Sequence, residues 1–512
     1  MNDVTSNKPS NLSEISAATA VGERVTTVSA GRLLNGIVFW SLLIGIPLAV
    51  VPYGTVDAWW ETTFESFVFA VTMLWIVRSV IERHWDLKGV SLLLPLVVIT
   101  IYCFVQAVQW PPRWLSSSSP THMLSLDHYQ TYLTARKTLA LTLFFGMLLV
   151  HTSTSKRLRW LVRTLIVLGL GSAIFGILRQ FMQTEESTGV FILPFLFTGV
   201  GYGQFISPNV FAYLMEITTG LAAGLILGGG AGKTRILIYI AIIAVLGAAL
   251  ILSSSRGGLL GLACQSIFVL MVGLSWYSQR STGGGNQAQQ LARSLINSRV
   301  VRAGLAVLIL VILFFGVLWI GGDNLVAKLD AAPGSAAVPL DGDTRLEIWG
   351  ATFKLWKNYP FTGTGFGCYF LGITRFQSGS GRLKLEQSHN DYLDIAANGG
   401  IIGLALAGWF VVAVYRKTRA AFNSRRGYQR AAALGAAAGC LAVSAHSTVD
   451  FGLQVTGIAV VFAALIVVMV AEMPPDEDRR RRRRKRSPLA EHSSELAEVR
   501  GFDRLNYKPG PS

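Results

Sequence analysis

The chain has 512 residues, of which 51% are hydrophobic and only 14% charged, and it carries a formal net charge of +16. That composition excludes an ordinary soluble protein of this length. Apolar runs of about 18 residues or more recur from end to end, each long enough to cross ~30 Å of hydrocarbon. In lipid every backbone N–H and C=O must be satisfied within its own segment, so closely spaced runs of this kind read as helices. The expected fold is an all-α polytopic membrane protein.

In chain order, residues 1–33 are polar, show no periodic apolar face and are expected to be a disordered cytoplasmic segment. The first apolar run is too long for a cleaved signal and lacks a small-residue cleavage site, so it should remain as the first span. About twelve transmembrane helices follow, near 34–51, 63–80, 89–108, 138–153, 160–179, 210–228, 235–252, 258–277, 303–321, 400–416, 430–448 and 453–472. This places a transmembrane domain at 34–472 and a basic, disordered cytoplasmic tail at 473–512. With residues 1–33 inside, alternate loops collect the basic residues, among them Arg78, Arg83 and Lys88, Lys156 to Arg163, Lys233 and Arg235, and Arg416 to Arg430. That agrees with the positive-inside bias, with both termini cytoplasmic and an even number of spans.

The outer side then carries three larger loops, near 109–137, 180–209 and 322–399. Within the last, Thr344 to Asn358 reads as an amphipathic helix with Leu346, Trp349, Phe353 and Trp356 at helical spacing, suited to the headgroup layer. Tyr359-Pro360 ends it, and Gly363, Gly365 and Gly367 make a turn-rich return to the bilayer at His389. On the inner side, Gly283-Gly284-Gly285 marks a flexible loop over 281–302. No internal repeat supports an inverted-repeat transporter.

The run Arg479–Arg486 follows Asp476-Glu477-Asp478 directly after the last span. It reads as a juxtamembrane tail resting on anionic membrane lipid, not as a nucleic-acid site. Four cysteines show no disulfide or metal-ligand spacing. Gly228-Gly229-Gly230-Ala231-Gly232-Lys233-Thr234 resembles a phosphate-binding loop, but Leu227 stands where its first glycine is needed and no strand precedes it. It is expected to be a cytoplasmic hairpin turn.

Charges on the wrong side of the membrane carry the chemistry. Arg256 lies in Ser253-Ser254-Ser255-Arg256-Gly257-Gly258, a very short outer turn. It is either a snorkelling surface residue or, with hydroxyls and close-packing glycines around one guanidinium, part of an anion pocket. Arg345 at the start of the interfacial helix is the second candidate, or else a solvated loop charge. Arg136, Lys137 and Arg179 near outer span ends add positive potential or are ordinary surface charges. His389, beside Asn390 and Asp391, is either a simple interfacial histidine or the best-placed outer base for a hydroxyl. His446 and Asp450 are spaced i, i+4, which makes a structural link or lets Asp450 orient a histidine or the acceptor.

Taken in order, Gly203-Gln204-Phe205-Ile206-Ser207-Pro208-Asn209, Ser254-Ser255-Arg256-Gly257-Gly258, the segment from Arg345 through Asn358-Tyr359-Pro360 to Gly367, His389-Asn390 followed by Gly400 and Gly403, and Val449-Asp450-Phe451 resemble the O-antigen ligase and polymerase superfamily of bacterial inner-membrane glycosyltransferases. The likeness covers roughly 35–470, and the His389 segment is of the ligase type. It implies a GT-C-like enzyme with a periplasmic site, which moves a glycan from an undecaprenyl-diphosphate carrier without nucleotide sugar, metal or other cofactor. Arg256 and Arg345, with Arg179, would bind the donor diphosphate. His389 would activate or position the acceptor hydroxyl, and Asp450, His446, Asn390 and Asn209 would support it. The acceptor implied is lipid A-core; the alternatives are a second lipid-linked repeat, as in an O-antigen or exopolysaccharide polymerase, or a protein side chain. A flippase or exporter would spread such charges through a central cavity, whereas here they gather at outer span ends.

Overall fold

The computed structural model describes residues 11–85, 89–110, 122–182, 201–280, 345–377, 385–422 and 427–472, with scattered positions between 304 and 316. The molecule is a helical bundle of α1 (Asn11–Val50), α2 (Ala58–Glu82), α3 (Val90–Ala107), α4 (His128–His151), α5 (Ser155–Met182), α6 (Pro208–Leu227), α7 (Lys233–Leu252), α8 (Arg256–Arg280), α9 (Arg345–Asn358), α10 (Asp391–Phe422), α11 (Gly427–His446) and α12 (Thr456–Val470). The β structure among the described residues is a two-residue antiparallel pairing of Gln109–Trp110 with His122–Met123 and one isolated bridge.

Eight of the described helices are long and apolar enough to cross a membrane, and two further apolar stretches, Arg256–Val272 and Thr456–Val470, are shorter. Every expected span but the ninth coincides with a described helix; the ninth, 303–321, falls largely outside the described residues, as do the 281–302 loop and the tail from 473. The expected boundaries differ where a helix outlasts its apolar stretch. α1 begins at Asn11, well ahead of the span that opens at Gly31. α4 begins at His128 because Asp127 caps it, its carboxylate accepting the N–H groups of Tyr129 and Gln130. α10 begins at Asp391, ahead of the span expected from 400.

At Gly400 that helix kinks, with φ 62 and ψ −160. A Cβ there would run into the backbone of Phe361, whose chain lies against the kink: Ile401 N–H donates to Pro360 O at 2.9 Å. Glycine is required because both the left-handed φ and the close approach exclude a side chain. The Gly363–Gly367 return is pinned from α3, where Tyr102 Oη donates to Gly399 O at 3.1 Å and Gln106 Nε2 to Thr362 O at 2.7 Å.

The bundle is centred on α6, whose apolar window is 83% buried, whereas the window of α7 is 17% buried and lies at the rim. α6 meets α11 glycine to glycine. A Cβ on Gly220 would stand 2.7 Å from Gly439 N, one on Gly224 would overlap Gly435, and one on Gly435 would stand 2.6 Å from Gly220 O. Small residues four apart on both helices let the backbones touch, which is how helices gain packing energy in lipid. This crossing sets the height of everything above it. The Gly228–Thr234 segment is the expected turn between helices, closed by the Gly230 and Ala231 N–H groups on Leu225 O at 2.9 Å each.

α9 lies on α10 through a small cluster of Ala351, Leu355, Tyr369, Ile373 and Ala397. Its buried face is Ile348, Ala351, Thr352 and Leu355. Of the expected aromatic stripe, Leu346 and Phe353 are exposed while Trp349 turns inward.

Candidate active site

Three helix starts, those of α8, α9 and α10, converge at one end of the bundle with the turn Ser447–Val455 between α11 and α12. The turn carries Asp450, which is buried, its side chain 3% exposed. Its Oδ1 stands 3.6 Å from His389 Nδ1 and its Oδ2 3.7 Å from Arg345 Nη2. The histidine and the arginine come from different segments and are themselves part-exposed, so Asp450 is the buried anchor of an open site. Burial pushes its carboxyl up, but His389, His446 and Arg345 outweigh burial and hold it below the ordinary carboxylate range. It is an anion between two potential cations.

His389 adopts a left-handed backbone, φ 53, which a non-glycine residue takes only where its surroundings impose it. The surroundings are specific. Ser388 N–H and Oγ–H donate to Asp394 Oδ2 at 3.1 and 2.9 Å. Trp349 Nε1–H, one helical turn after Arg345, donates to Ser388 O at 3.0 Å. Asn390 Oδ1 accepts the N–H groups of Tyr392 and Leu393, capping α10, while its Nδ2–H donates to Thr448 O at 2.8 Å. Asp391 N–H reaches Ser447 O at 3.0 Å. The ring of Phe451 meets the imidazole edge-on at 4.9 Å. The two turns that carry His389 and Asp450 are thus stitched together at several points, which overcomes the local strain.

Asn390 is therefore a cap and a tether, both sides of its amide committed to backbone. Replacing it by alanine should remove the cap and the Thr448 link together. A loss of about 1–2 kcal/mol is expected from the cap alone, with a fall in site activity larger than the fall in thermal stability. Parallel melting and rate measurements on Asn390→Ala would check this.

Arg256 heads α8. Ser254, φ 56, turns the chain sharply after α7, and Ser255 Oγ accepts Gly258 N–H at 3.1 Å as the cap of the helix. The same hydroxyl donates to Asn209 Oδ1 at 2.8 Å, which ties α8 to the start of α6. Gly257 abuts the imidazole edge of His446. Arg256 is exposed at a helix end whose dipole favours an anion.

The remaining candidates lie elsewhere. Arg179 is buried in α5, and its Nη1–H donates to Gly203 O at 2.7 Å, so it holds the turn that leads into Asn209. Arg136 and Lys137 pair with Glu65 and Glu61 of α2. The i, i+4 spacing of His446 and Asp450 does not put them on one helix face, because α11 ends at His446 and Asp450 belongs to the following turn. His446 is fully buried and bonds Glu216 Oε1 through Nδ1 at 2.8 Å.

Sequence reasoning passed over Glu216 and Asp394, and it read Trp349 and Ser388 only as members of their segments. Glu216 had a signal, a lone carboxylate inside an apolar span. Asp394, Trp349 and Ser388 look ordinary in their own segments and become part of the site only by contact.

Residues 240–408 match the family model described as O-Antigen ligase (Wzy_C). No curated protein matches the chain. The matched stretch contains Arg256, Arg345 and His389, while Asp450 is added from beyond it by the α11–α12 turn. This match over residues 240–408, together with the multi-pass helical bundle, supports a place in the O-antigen ligase superfamily of glycan-transferring membrane enzymes.

Proposed function

We propose that the chain is a glycosyltransferase that moves a glycan from an undecaprenyl-diphosphate carrier to an acceptor hydroxyl at the periplasmic face of the bacterial inner membrane. Both termini are cytoplasmic in this reading, and the acceptor is lipid A-core, as in lipopolysaccharide biosynthesis. The observation that carries it is Asp450 set between His389 and Arg345 at one end of the bundle. Ionised Asp450 orients the imidazole, and His389 takes the proton of the acceptor hydroxyl. The hydroxyl oxygen bonds to the anomeric carbon as the bond from that carbon to the diphosphate oxygen breaks, and the electron pair leaves with the diphosphate. Arg345 and Arg256 stabilise the charge that develops there, a task guanidinium groups perform without a metal.

The test uses purified protein in detergent with an undecaprenyl-diphosphate oligosaccharide, EDTA, and either lipid A-core or a second lipid-linked repeat as acceptor. Glycan should appear on lipid A-core. Arg256→Ala and His389→Ala should each reduce product about 10²-fold or more, the usual scale for removing a transition-state cation or a general base. Elongated lipid-linked chains would assign a polymerase instead, and no transfer to either acceptor would overturn the reading.

A further inference from the structure

The first turn of α10 carries two acidic residues, Asp391 and Asp394, three apart and therefore neighbours on one side of the helix. Carboxylates at a helix start ordinarily sit in water and serve the dipole. These two are buried, 4% and 3% exposed, and each grips a different turn through one oxygen. Asp394 Oδ2 accepts from both the N–H and the hydroxyl of Ser388, at 3.1 and 2.9 Å, immediately before His389. Asp391 Oδ2 accepts from Ser447 Oγ at 2.7 Å and from Leu453 N–H at 3.3 Å, on either side of Asp450. The Asp391 N–H reaches the same turn, donating to Ser447 O at 3.0 Å and to Asp450 O at 3.2 Å.

The two turns that must meet for the chemistry are thus both held from one rigid helical turn. Ser388 is fixed from its other face as well, because Trp349 of α9 donates to its carbonyl at 3.0 Å. What the arrangement sets is a marginal distance: His389 Nδ1 stands 3.6 Å from Asp450 Oδ1, just beyond ordinary hydrogen-bond reach. A small shift of either turn decides whether that bond is made. His389 is also in the left-handed region, φ 53, so its turn would relax elsewhere if Ser388 were released. Packing does not explain the two carboxyls, since burying a polar group is unfavourable wherever an apolar side chain would fit.

We propose that Asp391 and Asp394 are positioning residues, a two-sided clamp that fixes the His389 turn against the Asp450 turn. Asp394 acts on the histidine side and Asp391 on the aspartate side, each through an oxygen that accepts two hydrogen bonds. An asparagine in either place still offers that oxygen, whereas an alanine does not. The two halves are therefore separable by mutation. Losing Asp394 frees the segment before His389, and losing Asp391 frees the turn from Ser447 to Leu453. Misplacing a reacting group by about 1 Å can cost about 10²-fold in rate, so either release should be felt in turnover. The kinetic part of the inference rests on the transferase reading; the geometric part does not.

The experiment compares the unaltered full chain in detergent with Asp394→Ala, Asp391→Ala and the matching asparagine variants. Amide exchange by mass spectrometry is read over 386–390 and 447–455, well below the melting temperature, beside kcat and donor KM. Asp394→Ala should speed exchange about tenfold in the first segment alone, and Asp391→Ala in the second alone. Each should lower kcat about tenfold or more with donor KM within about twofold, and each asparagine should restore kcat to within about threefold. If an alanine variant does not fold, Ser388→Ala and Ser447→Ala, which remove one donor from each half, should show the same segment selectivity with kcat down about threefold. Residues that only support the fold would lower melting temperature and speed exchange along the whole of α10, with kcat of the folded protein unchanged, and that result overturns the inference. An asparagine as impaired as the alanine overturns it too. Absence of transfer by the unaltered protein would count against the transferase reading alone, with segment-selective exchange still deciding the clamp.

Discussion

Replacing Asp450 by asparagine is expected to lower glycan transfer about 10²-fold or more while leaving the fold intact, an effect on the scale of losing a general base and a transition-state donor together. The Asp450 carboxylate faces both His389 and Arg345. Without its charge the imidazole loses the partner that orients it, and the guanidinium loses the anchor that fixes its direction. The isosteric amide avoids an unpaired buried charge, so stability should change little. Phe451 N–H still finds the Oδ1 position, where it donates now at 2.9 Å. A kcat fall with an unchanged melting temperature is the expected pair of results. Equal losses in both would make Asp450 a structural residue.

The second large effect concerns the α6–α11 crossing. Gly224→Leu should abolish folded protein, and Gly224→Ala should already lower thermal stability measurably. A Cβ at 224 would overlap the backbone of Gly435, which has no side-chain rotamer by which to yield. Overfilling a close-packed contact typically costs about 1–3 kcal/mol, and here the helices themselves must separate. Separation would also draw Glu216 away from His446, because both lie on these helices above the crossing. Detergent-extracted yield and melting by intrinsic tryptophan fluorescence would read the result. A control at Gly247 on α7, where an added Cβ meets nothing, should be silent.

Much of the architecture was legible from local pattern. The spans appear as long apolar runs, and helices emerge over them because each helix satisfies its own backbone in lipid. The turn at Ser253–Ser255, the helix from about 345 to Asn358 and the rejection of the Gly228–Thr234 segment as a phosphate loop follow from capping residues, periodicity and glycine placement within a few positions. The N-terminal reach of α1, the early starts of α4 and α10 and the inward turn of Trp349 did not. Helices extend past their apolar stretches wherever a cap or a packing partner is present, and an amphipathic stripe cannot show which aromatic the neighbouring helix will bury.

For the site the division is sharper. Composition, span length and the order of basic loops determined by themselves that this is a helical membrane protein, and the charged residues stranded at outer span ends named Arg256, Arg345, His389 and Asp450 as candidates. Only the tertiary structure decided how they combine. Asp450 serves His389 and Arg345, not His446, because α11 stops at His446 and the chain turns before the next residue could share its face. His446 instead meets Glu216, some 230 positions away in the chain. Hydrophobicity and helix formation are set by neighbours along the sequence, whereas side-chain pairing across a membrane bundle is set by which helices lie side by side, and here that was settled by glycines that let α6 and α11 touch.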